Sequence, residues 1–302
     1  MYNAERKTLW LQSIADEDGD KQATSFLDRL AESVEEPLDT DLFALIADGR
    51  RTDVVRCLEE NGRFFSYLIL RRFCAYANAY LAWCYAKLRS EVPPPQSKLT
   101  AGDVSLAYAY ARYFIRTQDE LESALADAPL REGFILPVCC SLAWMGYSVQ
   151  EMCRLRDADV TVKGNRVFVR SVEAPEGFVC DTLRVWARSG SFRRGVRDTV
   201  YVKADGDLFV RQTFPEGGVY TQLKNNVNGV RSIASRYVIR KTGSSVSFRQ
   251  LSQAGEFHRL LAAEAAGATI DRQTVERVCG VKGQMALDRL NEFRQFQQAL
   301  RL

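Results

Sequence analysis

Between Arg184 and Lys241 stand 12 lysines and arginines against 4 acidic residues. Such a density suits a polyanion, because each cation set against a phosphate releases a condensed counter-ion. Within it, the segment ARSGSFRRGVRD carries Gly190 and Gly195 and reads as a mobile loop presenting Arg188, Arg193, Arg194 and Arg197, with Lys203 just beyond. The segment TQLKNNVNGVRSIASRYVIRK interleaves Gln222, Lys224, Asn225, Asn226, Asn228, Arg231 and Arg236 with Leu223, Val227, Val230 and Ile233, and ends on Arg240 and Lys241. At helical spacing one face packs and the other offers the side-chain types that hydrogen-bond base edges and phosphates. The candidate DNA-binding set is therefore Arg188, Arg193, Arg194, Arg197, Lys203, Gln222, Lys224, Asn225, Arg231, Arg236, Arg240 and Lys241. An arginine-rich solvated surface and an ordinary amphipathic helix are the plainer readings of the same residues.

Other chemistry is thinly represented. The 8 cysteines (57, 74, 84, 139, 140, 153, 180 and 279) form no C-x-x-C pair and the chain has a single histidine, His258, so neither a metal site nor a cofactor is expected. Cysteines with apolar neighbours are small core residues in a reducing compartment. His258 falls beside an apolar stripe, seven residues after Leu251 and three before Leu261, and reads as a packing residue.

The elements that must position these residues divide the chain in two. The 302 residues suffice for about two domains. Residues 1 to 62 hold 7 basic and 15 acidic residues and the remainder 34 and 23, so charges of −8 and +11 (7 − 15 and 34 − 23) lie on the two parts. No apolar run approaches membrane-spanning length and MYNAERKTLW lacks a secretion pattern, which places the protein in the cytoplasm, at the nucleoid if it binds DNA.

Residues 8 to 90 read as helices, the strongest from Arg63 to Arg89, until Pro93-Pro94-Pro95 forces an extended break. A connection runs to Arg112. Thr117 to Glu120 then reads as a capping box opening a helix of Glu120 to Ala128. An apolar helix (Phe134 to Met145), a turn at Gly146 and a second helix (Val149 to Leu155) precede a hairpin of Val160 to Val162 and Arg166 to Val169. A strand pair around Asp205-Gly206, a helix from about Tyr220 to Tyr237, a long helix through Phe248, Leu251, Phe257 and Leu261, and two short helices split at Gly280 complete the chain. That last pair also reads as a helix-turn-helix, with Gly280 to Lys282 as the turn. The expected class is mainly α with a small β-sheet (α+β), in domains 1–112 and 113–302.

An all-helical domain, a linker, and an α/β domain opening helix, Gly turn, helix, three-stranded sheet resembles the tyrosine recombinases, the phage integrase family. The likeness covers most of the chain. Its first box reads roughly Thr-Gly-Leu-Arg-x-x-Glu-Leu in the family and Met145-Gly146-Tyr147-Ser148-Val149-Gln150-Glu151-Met152 here, followed by Leu155 to Val160 as the strand entry. The resemblance implies a recombinase-like fold, with a helical core-binding-like domain and an integrase catalytic-like domain, and an arginine gripping the scissile phosphate where this chain has Ser148.

Cleavage of a phosphodiester needs cations around the pentacovalent phosphate, an attacking tyrosine and a general acid for the leaving oxygen. The family's hairpin lysine has no counterpart, since no lysine occurs between Lys163 and Lys203. Its His-x-x-Arg box falls near Arg249-Gln250-Leu251-Ser252, and no tyrosine follows Tyr237. Phe293 is the aromatic nearest the nucleophile's position. No enzymatic activity is expected. Among silent members, the chain is similar to the SPbeta-type phage repressors of the YopR family, through Tyr113-Phe114-Ile115-Arg116-Thr117-Gln118-Asp119-Glu120-Leu121, Arg236 to Arg240 and Gln253 to Leu260. That implies a prophage transcriptional repressor holding lysogeny by binding double-stranded operator DNA, with a small regulatory protein or peptide as a further partner. A diverged or accessory recombinase, and a protein-interaction module using the acidic residues 16 to 60, stay open as alternatives.

Overall fold

The computed structural model describes residues 2–14, 17–87, 98–126, 135–189, 191–193, 200–202 and 240–302. It is mainly helical with small antiparallel sheets, the expected α+β class. The chain forms two compact units, one of Met1–Arg112 with Lys282–Leu302 and one of Tyr113–Val281. No helix among the described residues is long and apolar enough to cross a membrane.

Among the described residues the first unit is all helical: α1 (Ala4–Ser13), α2 (Glu17–Leu30), a π-helical turn (Ala31–Glu35) running into α3 (Glu36–Leu38), α4 (Leu42–Ala47), α5 (Arg51–Asn61), α6 (Tyr67–Lys87) and α7 (Ala107–Tyr113). Its core is aromatic. Trp10 meets the Tyr80 ring edge-on at 5.3 Å, Phe26 lies 5.0 Å from Phe73, and Phe73 lies 5.1 Å from Phe64. Edge-to-face and tilted contacts at these spacings are the favoured geometries of ring quadrupoles. A buried ion pair of Lys7 with Glu35 sits in the same unit, both side chains being fully inaccessible.

The second unit is built around α9 (Ile135–Trp144), nine of whose ten residues are buried. A helix apolar on every side must be surrounded. It packs against α11 (Phe178–Arg188) and α12 (Phe248–Ala265). In α11 Val179, Cys180, Leu183 and Trp186 are buried at helical spacing while Val185 and Arg188 face out. Helices α8 (Gln118–Ala126), α10 (Val149–Met152) and α13 (Arg272–Cys279) are the unit's other described α-helices.

Three strands, β1 (Val160–Lys163), β2 (Arg166–Val169) and β3 (Val172–Glu173), form an antiparallel meander in the order β1-β2-β3. The register pairs Lys163 with Arg166, leaving a two-residue turn of Gly164 and Asn165 with φ of +61° at the glycine. That is the geometry expected of a tight hairpin whose first turn residue is glycine. Val167 and Val169 are buried, and both β1 and β2 contact α11. Two short pairs follow, β4 (Ser191–Arg193) with β5 (Val200–Val202), and β6 (Arg240–Lys241) with β7 (Ser244–Ser245).

Four expectations need correction. Residues 282 to 302 were expected in the second domain, but helix α14 (Gln284–Ala299) belongs to the first unit, where Ala286, Leu290, Phe293 and Phe296 are buried. Phe296 stands edge-on to Tyr110 at 6.2 Å, Glu292 accepts the Tyr67 amide at 2.8 Å, and Asp288 holds Arg71. The proposed helix-turn-helix is thereby divided, α13 falling in one unit and α14 in the other. At α8 the Thr117 hydroxyl accepts the Glu120 amide at 3.1 Å, but the Glu120 carboxylate reaches the amide of Arg116 at 2.7 Å rather than that of Thr117. The segment read as a mobile loop after Arg188 contains a strand, β4, that includes Arg193.

Candidate nucleic-acid interface

The turn that carries Ser148 follows from the end of α9. Gly146 has φ of +99°, its amide bonds to the Ala143 carbonyl at 2.9 Å and the next amide, Tyr147, to the Leu142 carbonyl at 3.0 Å. This pair of bonds closes a helix with a left-handed residue, a position that glycine occupies without a Cβ penalty. The Tyr147 hydroxyl then donates to the Val169 carbonyl at 2.8 Å, tying the turn to β2.

Ser148 is the N-cap of α10. Its hydroxyl accepts the Glu151 amide at 3.3 Å and its own amide donates to the Glu151 carboxylate at 2.7 Å. Both halves of a capping box are present. The Ser148 hydroxyl and amide hold the Glu151 carboxyl below its usual range. At the place where the resemblance implies a phosphate-gripping cation, a short neutral side chain is engaged in holding its own helix.

The turn between β2 and β3 is built unusually. Val169 pairs with Val172, so Arg170 and Ser171 form a two-residue loop, and both have positive φ, 44° and 68°. Neither residue type favours that region, and such backbone persists only where the surroundings hold it. Here the Arg170 amide bonds to the Asp159 carbonyl at 2.8 Å and its guanidinium lies 3.5 Å from the Asp159 carboxylate.

Of the twelve candidate DNA-binding residues, four have described positions. Arg188 ends α11 and Arg240 begins β6; both are exposed and neither has a carboxylate partner among the described residues. Arg193 lies in β4. Lys241 is turned inward: its ammonium bonds the Phe114 carbonyl and the Glu120 carboxylate, each at 2.7 Å. Burial lowers the Lys241 pKa. Burial also works to raise that of Glu120, but hydrogen bonds from Lys241 and Arg116 prevail and hold it below the usual range. Arg194, Arg197, Lys203, Gln222, Lys224, Asn225, Arg231 and Arg236 lie outside the described residues, as do the strand pair around Asp205-Gly206 and the helix of 220 to 237.

Cations that the sequence reading passed over lie on the hairpin. Lys163 and Arg166 are exposed, directly paired across β1 and β2, and both stand over the Phe168 ring, at 5.5 and 5.2 Å. Period-two alternation beyond the valines was the available signal. Arg166 is held by Glu173, and Arg184 by Asp181. His258 packs as expected, its ring 5.1 Å from that of Trp144 and its Nε2 2.6 Å from the Arg116 carbonyl, where it must donate.

These units define a two-part, mainly helical α+β protein whose second part carries the exposed Arg188 and Arg240 and, separately, a glycine turn capped by Ser148. No family model, curated protein or solved structure matches the chain.

Proposed function

We propose that this chain is a double-stranded DNA-binding protein on a recombinase-like frame that does not cut, acting as a phage or prophage repressor by occupying operator sites. The observation that carries the reading is the state of Ser148: the local order of helix, glycine turn, helix and three-stranded sheet is present, and the turn bears a cap in place of a cation. Stabilising the charge on a phosphate under attack requires preorganised positive groups. Holding ground-state duplex requires only cations distributed along a surface. The imbalance of 12 basic to 4 acidic residues between Arg184 and Lys241 and the exposed Arg188 and Arg240, which have no carboxylate partner among the described residues, support the second task.

Gel shifts across the surrounding genome, followed by footprinting, test this. A discrete protected site with a steep loss of affinity in salt is the expected result, and binding no tighter than to random duplex overturns it. A covalent adduct on a nicked phosphorothiolate duplex would select a diverged recombinase instead.

A further inference from the structure

Within the second unit a pocket of about 410 Å³ opens between the end of α9, the β3 segment and α12. Its size falls in the range of small-molecule sites. Trp144, Met145, Ala174 and Ala262 give it apolar walls. Among the described residues the single guanidinium on its lining is that of Arg259, half-buried at the Gly146 turn. One hydrogen bond engages that group, a long one of 3.4 Å from Nη1 to the Trp144 carbonyl, and no carboxylate pairs with it among the described residues. A partly desolvated fork of donors beside apolar walls is complementary to a carboxylate on an apolar body.

The rest of the lining narrows the ligand class. His258 is turned to the Arg116 carbonyl and Gln118 to the Glu176 carbonyl and the Val179 amide, so the Nε2 of one and the side-chain amide of the other are already engaged. Among the described residues two carboxylates lie on the lining, Glu173, neutralised by Arg166, and Glu176, which is exposed. Like charge nearby disfavours a dianion such as phosphate far more than a monoanion. The floor is rigid, because Gly255 brings α12 into direct contact with the Trp144 backbone.

We propose that this pocket binds a small organic monocarboxylate, its apolar body against Trp144 and Ala262 and its carboxylate on the Arg259 guanidinium. The assignment is independent of DNA binding.

Calorimetric titration of the full chain with hexanoate, hexanamide and inorganic phosphate tests it. Hexanoate should saturate one site per chain, hexanamide should bind at least ~10-fold more weakly, and phosphate should not compete. Arg259→Gln should erase the difference between acid and amide. Ala262→Trp fills the mouth without altering a charge and should abolish both. Thermal melting without ligand reports whether each variant folds, and if Arg259→Gln melts early the Ala262→Trp arm decides. The proposal is overturned by any of three results: no saturable hexanoate binding at millimolar concentration, binding unchanged in both variants, or phosphate bound as tightly as hexanoate.

Discussion

A Cβ built on Gly255 would stand 1.7 Å from the carbonyl oxygen of Trp144 and 2.7 Å from its carbonyl carbon. Helices α9 and α12 therefore approach with no side chain between them, and α9 is the helix on which the second unit is centred. Gly255→Ala forces the two backbones apart, at a cost of about 3 kcal/mol or more. Gly102→Ala, whose added methyl meets nothing closer than the Thr100 hydroxyl at 3.7 Å, is the control and should be neutral. Urea unfolding followed at the tryptophans reads both, and equal midpoints for the two variants would contradict the close packing.

Ser148→Ala removes the hydroxyl that accepts the Glu151 amide, while the backbone amide that donates to the Glu151 carboxylate stays, and should destabilise the second unit by about 1 kcal/mol. Its pH dependence has a defined sign. The folded-state pKa of Glu151 is depressed, so its contribution is present above the unfolded value of about 4.3 and is lost as pH falls through the lower folded value. The gap between wild type and variant should accordingly close on acidification. Ser148→Arg should lose the cap to the same extent and still form no adduct on a nicked suicide duplex. An adduct there would mean that an attacking side chain is in place and lacked only the arginine.

Lys7 and Glu35 form an ion pair that no water reaches, with the Glu35 carboxylate also accepting the Leu42 amide at 3.2 Å. Lys7→Met leaves an uncompensated buried charge and should cost about 3–5 kcal/mol. Burial raises the Glu35 pKa, and loss of Lys7 raises it further, so protonation at low pH removes the orphaned charge. The defect of Lys7→Met should therefore shrink as pH falls, and Lys7→Met combined with Glu35→Gln should recover most of it at neutral pH. A defect equal at pH 4 and pH 8 would refute this account.

Local signals in the sequence carried the helices, the Gly146 turn and the β1–β2 hairpin, because a 3.6-residue period, a glycine and an alternating valine run each act over a few residues. The destination of α14 had no such signal. Its apolar stripe of Ala286, Leu290, Phe293 and Phe296 says that something covers it, and only the long-range partners Tyr67, Arg71 and Tyr110 say what. Lys241 misled for a related reason: a lysine ending a basic run reads as solvated, and its counter-charge, Glu120, lies 121 residues earlier. Ser148 was legible as a departure from the recombinase pattern, whereas its role as a cap depended on Glu151 being read as its partner.

Lys241 and its neighbour Arg240 separate the two jobs a cation can do on one strand. Arg240 is exposed and has no carboxylate partner among the described residues, as is true of Arg188, so each can meet a phosphate. Replacing either with Gln should lower duplex affinity several-fold and reduce the slope of log K against log salt by about 1, with no change in thermal stability. Lys241→Met should do the opposite. It strips Glu120 of its ammonium, leaving Arg116 as partner, and should destabilise the second unit by about 1–3 kcal/mol while the salt slope stays as in wild type. Because the folded pKa of Glu120 is depressed, the stability that Lys241 confers is present above about pH 4.3 and is lost as pH falls through the folded value. Salt titrations of the three variants beside their melting curves decide the matter. A slope that falls in Lys241→Met, or that fails to fall in both arginine variants, would remove this part of the second unit from the proposed DNA-binding surface.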